Sequence, residues 1–205
     1  MDVRRGVPAG AESAVAALYW EAFGRKLGPA LGPDDAGRAF LARHLNHDRG
    51  IVVLGRDGRD GREVLGVAGY QLGARALLGG TAGDVLAQYG RVRGLPRLAL
   101  LALLERTAAP GELVMDGICV APQARGGGIG GRLLDEVAAV AAEEGCHRIR
   151  LDVIDVNPRA RALYERNGFT AVRTHRTPYL RAMMGFGAVT TMHRATGAPT
   201  ERRGG

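Results

Sequence analysis

The sequence predicts an α/β protein in which strands and helices are interleaved along the chain. Across Arg148 to Ile154, apolar residues alternate with charged ones, as they do in a half-buried strand. After Ile129 the apolar residues instead recur at helical spacing, which is typical of an amphipathic helix. The chain has 205 residues, 46% of them hydrophobic, which is enough for one sizeable core.

Short apolar runs bounded by turn residues predict the strands, and longer stretches with one apolar face predict the helices. In the N-terminal half we expect a strand, two helices and two strands, at 2–7, 11–23, 34–45, 51–54 and 64–72. Asp57-Gly58 and the polar run through Arg62 predict the turn between those two strands. In the C-terminal half we expect a strand at 112–120, a helix from Ile129, a strand at 148–154, a helix from Pro158, and closing strands at 169–174 and 186–193.

A glycine loop between Ile118 and Gly131 is the most informative segment, because it joins an apolar strand directly to a helix. The N-terminus of a helix offers unpaired backbone N–H groups and the positive end of a dipole, which suit a phosphate or pyrophosphate. Glycines keep Cβ atoms out of the anion's path to the backbone. The sequence therefore predicts a phosphorylated group on Arg125, Gly126, Gly127, Gly128, Ile129, Gly130 and Gly131.

Two kinds of site use such a loop. Gly126-x-Gly128-x-x-Gly131 fits the dinucleotide fingerprint, with Asp152 or Asp155 as a possible ribose-binding acid. A dinucleotide fold, however, places this fingerprint in its first strand–helix unit, whereas here the loop lies in the second half of the chain. The alternative pattern is Arg125-x-x-Gly128-x-Gly130, and a second motif downstream decides between them.

That second motif runs from Asn157 to Phe169. Its local chemistry is ordinary, since Asn157 is a good helix N-cap, Asn167-Gly168 is a normal helix end, and Tyr164 could be a half-buried aromatic. Together with the glycine loop, however, it closely resembles the paired signatures of the GNAT superfamily of N-acetyltransferases. The resemblance implies one domain over residues 1–195, built on a mixed, mostly antiparallel sheet flanked by helices. Residues 196–205 are expected to form a disordered tail.

The resemblance also implies a mechanism, in which an acetyl group passes directly from acetyl-CoA to an amine. Backbone groups of Ile118, Cys119 and Val120 would pair with the pantetheine arm, and the loop at 125–131 would hold the pyrophosphate. Asn157 would contact the cofactor arm, and Tyr164 would protonate the departing thiolate. No metal and no covalent enzyme intermediate are expected.

The sequence offers two candidates for the general base. An amine carries its proton at neutral pH, since side-chain amines have a pKa near ~10.4 and α-amines near ~8. Asp116, just before the cofactor-pairing residues, is the first candidate, although strict alternation puts it on the same side as Ile118 and Val120 unless a bulge intervenes. Glu21, on the first predicted helix, is the second candidate. A chain of water molecules could replace both.

An insertion at 73–110 separates the third and fourth predicted strands. Within it, Leu95 to Glu105 is apolar nearly all round, yet too short for a bilayer, which needs about 20 apolar residues. We expect a helix that roofs the acceptor site, with help from Met183, Met184 and Phe186. The alternatives are a helix packed onto the domain, a contact in an oligomer such as a homodimer, or a contact with a membrane surface.

Composition narrows the class further. The net charge is +7, but the arginines are spread along the chain with no long basic run, so we expect no nucleic-acid partner. Cys119 and Cys146 form no motif and are interpreted as free thiols of a cytoplasmic protein. The N-terminus runs into the first strand without a signal peptide, and the five histidines show no metal-binding spacing.

The acceptor stays open at this level, between a small-molecule amine and a peptide amine. Two rival functions also stay open. One is an acyltransferase that takes its acyl group from an acyl-carrier protein, and the other is a non-catalytic acyl-CoA sensor on the same scaffold.

Overall fold

The computed structural model of the protein describes residues 1–56, 62–104, 107–177, 181 and 185–197. Its strands and helices follow the predicted order. They are β1 (Asp2–Arg5), α1 (Glu12–Leu31), α2 (Asp34–Arg43), β2 (Gly50–Arg56), β3 (Arg62–Gln71), α3 (Ala82–Leu104), β4 (Glu112–Val120), α4 (Ile129–Glu143), β5 (Arg148–Ile154), α5 (Pro158–Arg166), β6 (Thr170–Arg176) and β7 (Ala188–Ala195). The Asp57-Gly58 turn, Met183, Met184 and the end of the tail lie outside the described residues.

The described strands form one seven-stranded sheet in the order β1-β2-β3-β4-β5-β7-β6. The pair β4–β5 is parallel and the other pairs are antiparallel, which confirms the mixed, mostly antiparallel sheet. Among the described residues, β4 and β5 are in register at three positions, from Glu112↔Arg148 to Val114↔Arg150. Beyond these the two strands separate and leave a gap in the middle of the sheet.

A buried ion-pair cluster stands at the closed end of this gap. The Glu112 side chain is 1% exposed, and its two carboxylate oxygens lie 2.9 Å from Arg148 Nε and 3.1 Å from Arg150 Nη1. The cluster joins β4 to two residues of β5. It therefore stabilises the two strands at the end where they are hydrogen-bonded to each other.

The sheet carries an apolar core on each face. Alternation sends Val52 and Leu54 to the core shared with α1, α2 and α3, whereas Ile51 and Val53 join the core beneath α4 and α5. The face covered by α1 and α3 holds the larger open cavity described below. Among the described helices, none is long and apolar enough to cross a membrane.

The insertion helix α3 is longer than the sequence analysis predicted. It starts at Ala82 and is kinked at Gly90, whose φ is +72°. Its first turn is closed by a reciprocal cap, in which Thr81 N–H donates to Asp84 Oδ2 at 2.7 Å and Asp84 N–H donates to Thr81 Oγ1 at 3.2 Å. Because Gly90 interrupts the helical spacing of apolar residues, the sequence predicted only the second half of this helix.

Polar contacts fasten α3 to the end of α1. Arg97 Nη1 donates to the carbonyl oxygen of Ala30 at 2.9 Å, and the Tyr89 hydroxyl donates to that of Leu31. These are carbonyls of the last turn of α1, which have no partner within their own helix. Leu95, by contrast, is 61% exposed, so the helix does not bury apolar residues all round as the sequence suggested.

Candidate active site

The gap between β4 and β5 forms a cavity of about 180 Å³. Its walls come from the separated strands, from α1 on one side and from α5 on the other. The lining includes Phe23, Lys26, residues 115–118 and 151–154, Asn157 and Tyr164. The structure thus brings four predicted site residues together around one space: Asp116, Ile118, Asn157 and Tyr164.

A β-bulge puts Asp116 in this place. Gly117 is paired with Gly69 and Met115 with Tyr70, so Asp116 is the extra residue in β4. The bulge moves Asp116 away from Ile118 and Val120, which pack on the α4 side of the sheet. Asp116 Oδ2 accepts a hydrogen bond from the N–H of Leu77 at 2.8 Å, which ties β4 to the segment before α3.

Helix α1 packs closely against β4 next to Asp116, at Gly117. A Cβ built on Gly117 would lie 2.5 Å from Cζ of Phe23 and 3.0 Å from the Tyr19 hydroxyl. A side chain at Gly117 would therefore require Phe23 and Tyr19 to move. Glu21 lies two residues from both aromatic residues, about half a turn round the helix.

Glu21 consequently lines neither the strand gap nor the cavity next to it. It is exposed, and its Oε1 lies 3.6 Å from Nη2 of Arg125. At this point α1 turns Tyr19 and Phe23 towards the sheet, so Glu21 lies outside these two cavities, and its role as a base stays a prediction. Lys26, which sequence reasoning missed, does line the gap, and no motif in the sequence singled it out.

The glycine loop follows β4 after a short 3₁₀ turn at Pro122–Ala124. Gly126 and Gly128 have φ values of +85° and +76°, and Gly128 caps the N-terminus of α4 in a left-handed conformation. Among the described residues, the backbone N–H groups of Gly126 and of residues 128–131 find no hydrogen-bond acceptor. A curved run of such amides is an anion-binding concavity.

The residues of this loop have different surroundings. Gly127 is exposed, as are Gly126 and Gly128. A Cβ on Gly130, however, would lie 2.9 Å from Cδ2 of Leu163, so this glycine lets α5 pack against α4. Arg125 Nε donates to the carbonyl oxygen of Val120 at 3.1 Å, which links the loop back to β4.

Cys119 lies in the core on the α1 side and is not a cavity residue. Burial raises the pKa of its thiol to about 12. The thiol thus stays protonated at neutral pH, in agreement with a reaction that needs no cysteine nucleophile.

Tyr164 is buried on α5, with its ring edge-on to Phe169 at 5.8 Å between centroids. Asn157 is the N-cap of α5, and its Oδ1 accepts a hydrogen bond from Ala160 N–H at 3.1 Å. This cap fixes the start of the helix and so the position of Tyr164 two turns later. Asn157 itself is exposed at the mouth of the strand gap.

A second cavity of about 640 Å³ adjoins the first on the α1 face of the sheet. Residues of α1, α2, α3 and the segment at 74–82 surround it. The two cavities share Phe23, Lys26 and Asp116, so Asp116 stands at their junction. Within the described part of the chain, no group of three or more His, Cys, Asp or Glu side chains could hold a metal ion.

Comparison with known sequences identifies the class. A model of the acetyltransferase (GNAT) family matches residues 13–169. Thialysine N-epsilon-acetyltransferase from Bos taurus is 43% identical over 57 residues, covering 28% of this chain and 34% of that protein. Mycothiol acetyltransferase from Beutenbergia cavernae is 44% identical over 78 residues, covering 38% of this chain and 26% of that protein. The matches thus span about a third or a quarter of these relatives.

Solved structures share the fold. A crystal structure of an acetyltransferase superposes with a TM-score of 0.61 at 22% identity, covering 96% of this chain and 100% of that one. Phosphinothricin acetyltransferase from Sinorhizobium meliloti, in complex with AcCoA, superposes with a TM-score of 0.59 at 18% identity, covering 98% and 94%. Because the family match extends over more than half of the chain, the protein belongs to the GNAT acetyltransferase family, a class of enzymes.

Proposed function

We propose that this chain transfers an acetyl group from acetyl-CoA directly to an amine. The observation that carries the proposal is the gap between β4 and β5, which has an open strand edge on one wall, formed by the strand that continues into the glycine loop. An extended pantetheine arm fits such an edge as an added strand, and the unpaired amides of the loop suit the pyrophosphate. The bovine relative is named for acetylation of the ε-nitrogen of thialysine, which agrees with an amine acceptor.

In the proposed reaction the amine nitrogen attacks the thioester carbonyl, a C–N bond forms and the C–S bond breaks. The proton lost by the amine goes to Asp116, and Tyr164 donates a proton to the departing sulfur. Asp116 is favoured over Glu21 because it lies where the two cavities meet, whereas Glu21 faces the solvent beside Arg125. An amine that enters from the larger cavity would reach Asp116 before the thioester.

The proposal is tested by following thiol release from acetyl-CoA with a panel of amines and by detecting the acetylated product by mass spectrometry. Release of one thiol for each acetylated amine is expected. If the folded protein binds acetyl-CoA and acetylates no amine in the panel, the chain would instead act as a sensor. If acetylation requires an acyl-carrier protein in place of acetyl-CoA, the proposed donor is wrong.

A further inference from the structure

We infer that the acceptor is an amine carried on an apolar body, and that the second cavity holds this body beneath α3. The inference rests on the proposed function, because it names the class of substrate for the same site. It begins with the walls of the cavity, which expose more apolar than polar surface. Each of the three surrounding helices contributes large hydrophobic side chains: Leu27 and Leu31 from α1, Phe40 and Leu41 from α2, and Leu98 and Leu101 from α3.

Three polar side chains that line this cavity, Asn46, Gln71 and Arg75, already donate hydrogen bonds to other protein groups. Asn46 Nδ2 donates to the carbonyl oxygen of Ala76 at 2.7 Å, and Gln71 Nε2 donates to that of Gly73 at 3.0 Å. Arg75 Nη2 lies 3.1 Å from a carboxylate oxygen of Asp48. These hydrogen bonds hold the three side chains against neighbouring segments, so fewer of their donors face the cavity for the hydroxyl groups of a polar substrate.

The place where the amine would bind follows from Asp116, which lies where the two cavities meet. Asp116 is the carboxylate lining the cavity among the described residues, and it also borders the strand gap in which the thioester would lie. A single ammonium group would therefore approach Asp116 while the rest of the molecule stays against the leucines and Phe40. A polyamine or an amino sugar would leave buried polar groups without partners, which is unfavourable.

The cavity is preformed. Arg97 and Tyr89 hold α3 to the last turn of α1, and Leu98 packs against the core formed with α1 and α2. About 640 Å³ lies in the range usual for small-molecule sites. Helix α3 is thus held in place over the cavity. A space of this size and lining suits an aromatic ring or a branched alkyl group.

Two pairs of variants on α3 test this inference. Ala102 is exposed yet lines the cavity, so Ala102→Phe fills it without removing any core packing, and exposed Ala99, which does not line it, provides the control Ala99→Phe. Leu98→Gln places a polar group in the wall, and the control is Leu95→Gln on the exposed side of the same helix. The probes are 2-phenylethylamine, spermidine and glucosamine.

We expect kcat/KM for 2-phenylethylamine to exceed the values for spermidine and glucosamine by about tenfold or more. Ala102→Phe and Leu98→Gln should raise its KM by about tenfold, whereas both controls and the affinity for acetyl-CoA stay at wild-type values. A preference for spermidine or glucosamine, or an unchanged KM in both cavity variants, overturns the inference.

Calorimetry with 2-phenylethylamine separates this inference from the proposed function. If no amine is acetylated but 2-phenylethylamine binds the wild type and fails to bind Ala102→Phe, the cavity assignment stands and the proposed function is wrong. If 2-phenylethylamine neither binds nor reacts, the apolar acceptor is wrong, and acetylation of another amine would leave the proposed function intact.

Discussion

At the scale of single residues, the proposed chemistry depends on two side chains that line the strand gap. Asp116 comes from the bulge in β4, and Tyr164 comes from α5. The first would accept a proton from the amine and the second would give one to the sulfur. Each role can be removed by a change of a single functional group.

Tyr164→Phe should lower kcat by about 10² to 10⁴-fold, the usual contribution of a general acid. The affinity for acetyl-CoA should hardly change, because the ring and its contact with Phe169 are kept. Tyr70→Phe is the matched control, since the Tyr70 hydroxyl donates to the carbonyl oxygen of Asp48. Steady-state rates and calorimetry measure both quantities. A wild-type kcat in Tyr164→Phe would exclude this hydroxyl as the acid.

Asp116→Asn should lower kcat/KM at neutral pH by about 10²-fold or more. Because asparagine can still accept the hydrogen bond from Leu77 N–H, the wall of the cavity should stay in place. The loss should shrink as the pH rises towards the pKa of the free amine, since a deprotonated acceptor needs no base. Glu21→Gln should leave the pH profile unchanged. A profile altered by Glu21→Gln and not by Asp116→Asn would reverse the assignment.

At the scale of elements, the loop before α4 depends on its left-handed glycines. Gly128→Ala forces a side chain into φ near +76°, which costs about 1 kcal/mol of folding free energy and distorts the amides that face the anion. Gly10→Ala is the matched control, because Gly10 has a φ of +84° and open space around it. Both variants should lose similar stability in urea unfolding, but Gly128→Ala alone should bind acetyl-CoA more weakly. Equal affinities would contradict the anion-binding role.

Gly130 illustrates why a motif does not reveal what each of its residues does. The sequence suggests that every glycine of the loop makes room for phosphate. In the structure the space beside Gly130 belongs to Leu163, on a helix more than thirty positions further along the chain. A Gly130→Val variant would therefore disturb the packing of α5, and a loss of acetyl-CoA binding in it would say nothing about the phosphate.

The strand limits of β4 and β5 were predicted correctly because local alternation of apolar residues determines them. The bulge at Asp116 was not predictable, since it arises from the register of β4 against β3, a contact between distant segments. The direction of Glu21 likewise depends on which face of α1 meets the sheet. The start of α3 could have been predicted from the capping pattern Thr81-x-x-Asp84. It was missed because the helix is interrupted at Gly90, so the apolar pattern does not continue back to the cap.

At the scale of the whole molecule, the sheet consists of two parts, β1–β4 and β5–β7, joined at three paired positions and by the Glu112 cluster. Acetyl-CoA bound in the gap should slow hydrogen exchange at backbone amides of residues 115–120 and 151–154. Amides of the β1–β2 pair, at the far edge, serve as the internal control. Slower exchange confined to regions away from the gap would place the ligand elsewhere.

The short ladder between β4 and β5 leaves backbone groups that acetyl-CoA would pair with if it binds in the gap as proposed. A ligand that binds the folded state alone stabilises it by about 2.7 kcal/mol at a hundred times its Kd. If acetyl-CoA completes the sheet as proposed, the fraction of unfolded chains, and with it the exposure to proteases, would rise when the acetyl-CoA supply falls. The abundance of the enzyme would then follow the carbon status of the cell without a dedicated regulator.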